Sequence, residues 1–277
     1  MADIRIFSFK PSSIEIEVKD LRFVKELPNL LGQAHKANFY QVVWITEGEA
    51  KFRIDFRDII VKENEALIIS AGQVCEFDVT SDYSGKMILF TGSFFTITEL
   101  DANFLHTSEI LNPINLNRTV PVCHQLMNNL ITLLDEELKL PNDAYQLGKA
   151  QSYIRIILLE TERQLRPTTS LATGGLIRQF YNAVEQHFRE NRNMNYYVNL
   201  LEISEKALSR EIKTLTGKTP KAYIDSRIIL EAKRLLSYSS LSVKEIGYEL
   251  GFDEPTNFNK FFRKHVGKTP LQFRDLP

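Results

Sequence analysis

Over the first hundred residues, apolar positions alternate with polar ones. Ile14, Ile16 and Val18 interleave with Glu15, Glu17 and Lys19, and Ala50, Phe52, Ile54 and Phe56 interleave with Lys51, Arg53, Asp55 and Arg57. A period of two predicts strands with one buried and one wet face. Three more continuously apolar runs, Phe39 to Ile45, Ala66 to Ile69 and Met87 to Phe90, are bounded by turn signals such as Glu47-Gly48-Glu49 and Ser84-Gly85. Many short strands at this spacing predict a small barrel or sandwich. From Val120 the period becomes helical, first through Val122, Leu126, Leu130, Ile131 and Leu134, then, after Pro141-Asn-Asp, through Ala150, Ile154, Ile157 and Leu158. These two amphipathic helices predict a helical hairpin over about 119–165. Its apolar stripes pack either on the strands or on a second copy of the chain, and stripe width does not choose between them.

Arg166-Pro-Thr-Thr-Ser170 and Thr173-Gly-Gly175 break both patterns, which predicts an interdomain linker over 166–175. Leu176, Ile177, Phe180, Tyr181, Val184 and Phe188 then open a helical region that runs to the end of the chain. Near that end, Ile246 to Phe252 is followed by Pro255, and Phe258, Phe261 and Phe262 recur at helical spacing. Gly251 supplies a turn and Pro255 sits where a first helical residue is preorganised, so the stretch predicts a helix-turn-helix. The second helix has an apolar back, and its front carries Thr256, Asn259, Lys260 and Arg263.

The same arrangement occurs twice. Leu215-Thr-Gly-Lys-Thr-Pro220 recurs fifty residues later as His265-Val-Gly-Lys-Thr-Pro270. In that register Leu208 pairs with Phe258, Ile212 with Phe262 and Tyr223 with Phe273, while Lys206, Ser209, Arg210 and Lys213 fall on the polar front of the later helix. Ser204 is placed to cap the first reading helix, and Ser242 with Glu245 forms a capping box for the supporting helix of the second unit. Leu201 stands where the second unit has Gly251. Between the units, Thr219-Pro220 begins a helix to about Leu236, roughly 27 Å long at the standard rise.

Charge sharpens this division. The chain of 277 residues has a net charge of -1. Residues 1–170 hold 17 Lys and Arg against 23 Asp and Glu, whereas 171–277 hold 17 against 12, giving -6 and +5. A basic region behind an acidic one is expected where only the former meets phosphates. Two cysteines without a CxxC spacing do not describe a disulfide scaffold, so reduced thiols are expected. The start of the chain lacks a secretory pattern and no stretch approaches ~20 apolar residues, which predicts a cytoplasmic protein with no membrane partner.

With Gly-Phe, Lys-Thr-Pro and Glu231-Ala-Lys-Arg-Leu-Leu236 in this order, residues 176 to 275 resemble the DNA-binding domain of AraC/XylS-family transcription regulators. Gly48 between two strands and Glu65 to Cys75 resemble the cupin-type sensor domain of many members. The resemblance implies a two-domain α+β chain. Residues 1–165 would be a cupin-like β-barrel with the helical hairpin, and 176–277 an all-α domain of two helix-turn-helix units joined by a linker helix. It also implies double-stranded DNA as partner, a homodimer through the 119–165 helices, and activation of transcription, hence contact with RNA polymerase.

On chemistry, Lys206, Ser209, Arg210, Thr256, Asn259 and Lys260 are the expected base-facing residues, and Lys213 and Arg263 the expected phosphate ligands. Arg and Lys reach guanine and Asn reads adenine bidentately, while cations one turn further on suit phosphates. His35, Tyr40, Trp44 and Cys75 are candidates for an effector pocket inside the barrel, although packing alone accounts for each singly. No metal and no cofactor are expected: Cys75 occupies the place of a metal-cupin histidine and His35 has no nearby histidine partner. The rival is a metal-dependent cupin enzyme fused to a DNA-binding module, which a stoichiometric bound metal would support.

Overall fold

The computed structural model describes residues 4–9, 14–26, 32–77, 82–112, 119–165, 174–216 and 218–275. The chain forms two compact units, one of Arg5–Thr169 and one containing Ser170–Pro277. In the first unit the elements run β1 (Arg5–Phe7), β2 (Ile16–Asp20), α1 (Leu21–Lys25), β3 (His35–Ala37), β4 (Tyr40–Ile54), β5 (Arg57–Lys62), β6 (Glu65–Ile69), β7 (Val74–Glu76) and β8 (Tyr83–Phe90). After them come α2 (Gly92–Phe95), α3 (Glu99–Thr107), β9 (Thr119–Pro121), α4 (His124–Lys139) and α5 (Gln146–Leu165). The strands make one sheet, curled as a half-barrel, in which β4 bonds to β5, β6, β7 and β8.

The length of β4 corrects one expectation. Glu47-Gly48-Glu49 is not a turn between strands; the strand continues through it with a register shift between Ile45 and Glu47. Gly48 takes φ +77, and a Cβ there would run into the carbonyl oxygen of Asp82. Such a bulge flips which side chains face inward. Val43 and Ile45 before it, and Ala50, Phe52 and Ile54 after it, therefore enter one core with Leu67, Ile69, Cys75 and Met87, closed by Leu21 and Val24 of α1. Phe56 does not continue the alternation. It turns the chain with Asp55, both at positive φ (71 and 46). The Asp55 carboxylate fixes that turn by accepting from Gln73 Nε2 at 2.5 Å and Val74 N at 3.2 Å.

The other face of β4 presents Val42 and Trp44, which join Ile68, Ile88 and Phe90 under the helical hairpin. Met127, Leu130, Ile131 and Leu134 of α4 and Ala150, Ile154, Ile157 and Leu158 of α5 complete this second core. Each of these buried side chains other than Ala150 contributes about 1.5–3 kcal/mol. Val122 precedes α4 and Leu126 is exposed, so the buried stripe begins at Met127. Asp143 caps α5 by accepting from the backbone of Tyr145 and Gln146 at 2.8 and 2.9 Å, and Gln146 Nε2 donates to the carbonyls of Glu137 and Leu140 to close the hairpin.

The second unit is helical: α6 (Gly174–His187), α7 (Met194–Leu200), α8 (Glu205–Thr216), α9 (Pro220–Tyr238), α10 (Val243–Glu249), α11 (Pro255–Val266) and α12 (Pro270–Arg274). The linker expected over 166–175 lies outside the described residues at 166–173, and Gly174 and Gly175 open α6. α9 is the central helix. Thr219 caps it and Pro220 starts it, and buried Glu231 accepts from Arg189, Arg227 and Arg234 at 2.9, 3.1 and 3.3 Å. A buried carboxylate held this way compensates its desolvation only while its partners remain.

Candidate nucleic-acid interface and ligand cavity

The two reading helices are built alike from local chemistry. Ser204 Oγ accepts from Ala207 N at 3.2 Å and so caps α8, and Leu208 and Ile212 bury its back completely. Lys206, Arg210 and Lys213 are exposed and Ser209 is half-buried; the side chain of Leu215 lies outside the described residues. In the second unit the capping box forms as read: Glu245 N donates to Ser242 Oγ and Ser242 N donates to Glu245. The Ser242 hydroxyl and N–H hold the Glu245 carboxyl below its usual range. Phe258 and Phe262 are fully buried behind α11, Phe261 is half-buried, and Thr256, Asn259, Lys260 and Arg263 are all exposed. Gly267 at φ +79 stops α11, its N–H donating to the Arg263 carbonyl.

The repeat register holds for the readers and slips for their supports. Both ends of α11 lie fifty residues beyond those of α8 (255 against 205, 266 against 216). Both ends of α10 lie forty-nine beyond those of α7 (243 against 194, 249 against 200). By the same interval Leu250 matches Leu201 as C-cap, and Gly251, at φ +73, matches Glu202, at φ +54. Glu202 rather than Leu201 thus takes the left-handed place, which costs a non-glycine about 1–2 kcal/mol. The backbone bonds agree: Ile203 N reaches the Val198 carbonyl and Phe252 N the Gly247 carbonyl. Between the units α9 has 19 residues, about 28 Å at the helical rise.

In the first unit a cavity of about 70 Å³ opens inside the half-barrel, lined by Phe7, Lys19, Phe23, Val24, His35, Ala37, Phe39, Gln41, Phe77, Met87 and Leu89. Antiparallel pairing of β3 with β7 sets His35 opposite Cys75, and the Cys75 Sγ lies 3.0 Å from His35 Nε2. His35 Nδ1 faces the Gln33 carbonyl at 3.1 Å, so Nδ1 carries the proton and Nε2 accepts from the thiol. Burial pushes the His35 pKa down and keeps the ring neutral. Burial likewise pushes the Cys75 thiol up to about 12, which leaves it unreactive.

Comparison with known proteins decides the relationship. Residues 26–152 match the family described as AraC-like ligand binding domain, and residues 197–275 match the helix-turn-helix domain family. Residues 26–152 and 197–275 thus carry the two domain types of AraC/XylS-family regulators. The HTH-type transcriptional activator RhaS of Escherichia coli O1:K1 is 26% identical over 140 residues, 50% of this chain and 49% of that protein. RhaS of Escherichia coli O9:H4 is 31% identical over 91 residues, 33% of each chain. The first match thus spans about half the length of its relative. ToxT from Vibrio cholerae has a similar chain path at 13% identity, covering 94% of this chain and 98% of that one with a TM-score of 0.46. Both RhaS relatives are named as transcriptional activators.

The eight expected DNA-facing residues lie on two helix fronts, seven exposed and Ser209 half-buried. The four pocket candidates do not stay together. His35 lines the cavity and Cys75 sits behind it. Tyr40 stacks on Phe90 at 5.2 Å, and Trp44 packs against His124 at 5.1 Å, both on the hairpin side of β4. Before the bulge, even-numbered side chains of β4 point away from the cavity and odd-numbered ones toward it, so Gln41 takes the place expected of Tyr40. Lys19, Phe23, Phe77 and Met87 escaped sequence reasoning, since only long-range pairing brings them to the cavity. Among the described residues no three His, Cys, Asp or Glu side chains converge, and no helix is long and apolar enough to cross a membrane.

Proposed function

We propose that the chain is a cytoplasmic DNA-binding transcription regulator, an activator like its named RhaS relatives, with α8 and α11 reading two successive major-groove segments per monomer. The observation that carries this reading is the duplicated front. Two helices with identical bounds fifty residues apart each back onto fully buried side chains and turn matching polar and cationic residues to solvent. An α-helix fits the major groove, and readers about one DNA turn (~34 Å) apart suit the length of α9. Lys206, Ser209, Arg210, Thr256, Asn259 and Lys260 face base edges, and Lys213 and Arg263 hold phosphates.

Residues 1–165 act as the sensor, 166–175 as the linker and 176–277 as the DNA-binding domain. The half-barrel cavity takes a small, mostly apolar effector with one hydrogen-bonding end toward Gln41. RNA polymerase is the further partner of an activator. The test uses the full chain and a duplex enriched from a random library, titrated across a salt series with and without a cell metabolite extract. Affinity is expected to fall steeply as salt rises, because each phosphate contact releases counterions. A salt-insensitive complex contradicts DNA reading, and an affinity that ignores the extract contradicts the sensor role.

The α4–α5 hairpin serves as the homodimer contact. Leu126 and Leu133, seven apart on α4, are 37% and 45% exposed, and Ile156 and Leu159, three apart on α5, are 43% and 48% exposed. Each pair makes an apolar strip on one side of its helix, and such strips mark association surfaces. Leu133→Glu is expected to convert a dimer to a monomer in sedimentation at micromolar concentration. A variant that stays dimeric would place the contact elsewhere.

A further inference from the structure

The α6–α7 loop, Phe188–Asn193, is attached to both helix-turn-helix units. On the first, the buried Tyr197 hydroxyl of α7 donates to the Asn191 carbonyl at 2.7 Å, and the Asn193 side chain caps α7. Where α9 begins, Lys221 Nζ donates to the Arg192 carbonyl at 3.2 Å. On the second unit the loop makes three contacts. The Arg192 guanidinium lies 3.7 Å from the centroid of the Phe252 ring, and that ring packs at 5.3 Å on both Phe258 and Phe261 of α11. Arg189 bonds Glu249 at the end of α10 at 3.0 Å with one nitrogen and Glu231 of α9 at 2.9 Å with another. Finally, the Arg189 carbonyl oxygen fills the space that a Cβ on Gly251 would need.

We propose that this loop is a clamp that fixes the orientation of α11 relative to α8, with Arg192 and Arg189 as positioning residues. A single connecting helix sets the distance between two readers, but a second, independent attachment is what resists rotation of one about the end of that helix. The Arg192–Phe252 contact is the stronger arm. A guanidinium over a largely desolvated ring is worth more than the exposed Arg189–Glu249 pair. Because Phe252 bears directly on the back of α11, the loop position reaches the reading front through two packed rings. This inference rests on the two-segment reading above. Its consequence is a narrow tolerance for the spacing between the two DNA segments, since simultaneous engagement is lost when geometry forbids it.

The test is a spacing series. Full-length protein is titrated against a duplex enriched from a random library and against versions with one or two base pairs inserted or removed between the segments. Further versions have one segment scrambled. Wild type is expected to lose about tenfold on altered spacings. Arg192→Met, which keeps the unbranched stem over the ring without its charge, is expected to lose about fivefold on the enriched spacing and to flatten the profile, with binding to either single segment unchanged. Arg192→Lys, which keeps a cation there, should restore most of the selectivity. A folded Arg192→Met protein with the wild-type spacing profile overturns the clamp. If wild type binds one-segment duplexes as tightly as the intact one, the two-segment reading is what fails.

Discussion

Gly251→Ala is expected to destabilise the C-terminal unit by about 3 kcal/mol or more, from two sources that add. The residue sits at φ +73, where an L side chain costs about 1–2 kcal/mol. A Cβ there would also meet backbone, the carbonyl oxygen of Arg189, which cannot rotate away as a flexible side chain would. Forcing such an overlap typically costs another 1–3 kcal/mol or so. Gly267 supplies the control. It has nearly the same dihedral, φ +79, but nothing within 4 Å of an added Cβ, so Gly267→Ala carries only the first cost, about 1–2 kcal/mol. Urea unfolding of the full chain followed by helical circular dichroism should separate the two variants clearly. Equal losses would mean that the Arg189 carbonyl does not confine this turn.

The second large effect concerns binding. Arg210→Ala and Lys260→Ala are each expected to weaken binding to an enriched duplex by about 1–3 kcal/mol and to relax discrimination at particular base pairs. Both residues are exposed on the front of their helices, so neither substitution should disturb folding. Lys213→Ala is expected to weaken all sequences alike and to lower the salt slope by about one, the signature of a phosphate contact. Anisotropy titrations against enriched and scrambled duplexes check all three. Unchanged affinity and selectivity after both base-face substitutions would remove α8 and α11 from the reading role.

The C-terminal unit was legible because its signals are local. Apolar spacing marks the back of α8 and α11, Ser204, Ser242 and Thr219 mark helix starts, and an internal repeat supplies the register. The one-residue slip between supports was not legible. Leu201-Glu202-Ile203 and Leu250-Gly251-Phe252 do not declare which residue takes a positive φ when one of the two turns lacks glycine.

In the N-terminal unit alternation revealed the strands with one wet face, such as β2. It failed on the first half of β4, Gln41 to Ile45, which is buried on both faces between two cores. A continuous run such as Val42 to Ile45 carries no facing information. Tyr40 and Trp44 therefore look the same in sequence as the inward-facing Gln41 and Val43. The bulge before Gly48 was hidden for a related reason, since Glu47-Gly48-Glu49 reads equally well as a hairpin turn.

The most direct measurement of the central claim is selection of bound sequences from random duplexes by the wild type, Arg210→Ala and Lys260→Ala proteins in parallel. The two-reader account predicts two clusters of enriched bases about one helical turn apart, with Arg210→Ala relaxing only one cluster and Lys260→Ala only the other. A single cluster, or two clusters that neither substitution alters, would contradict it.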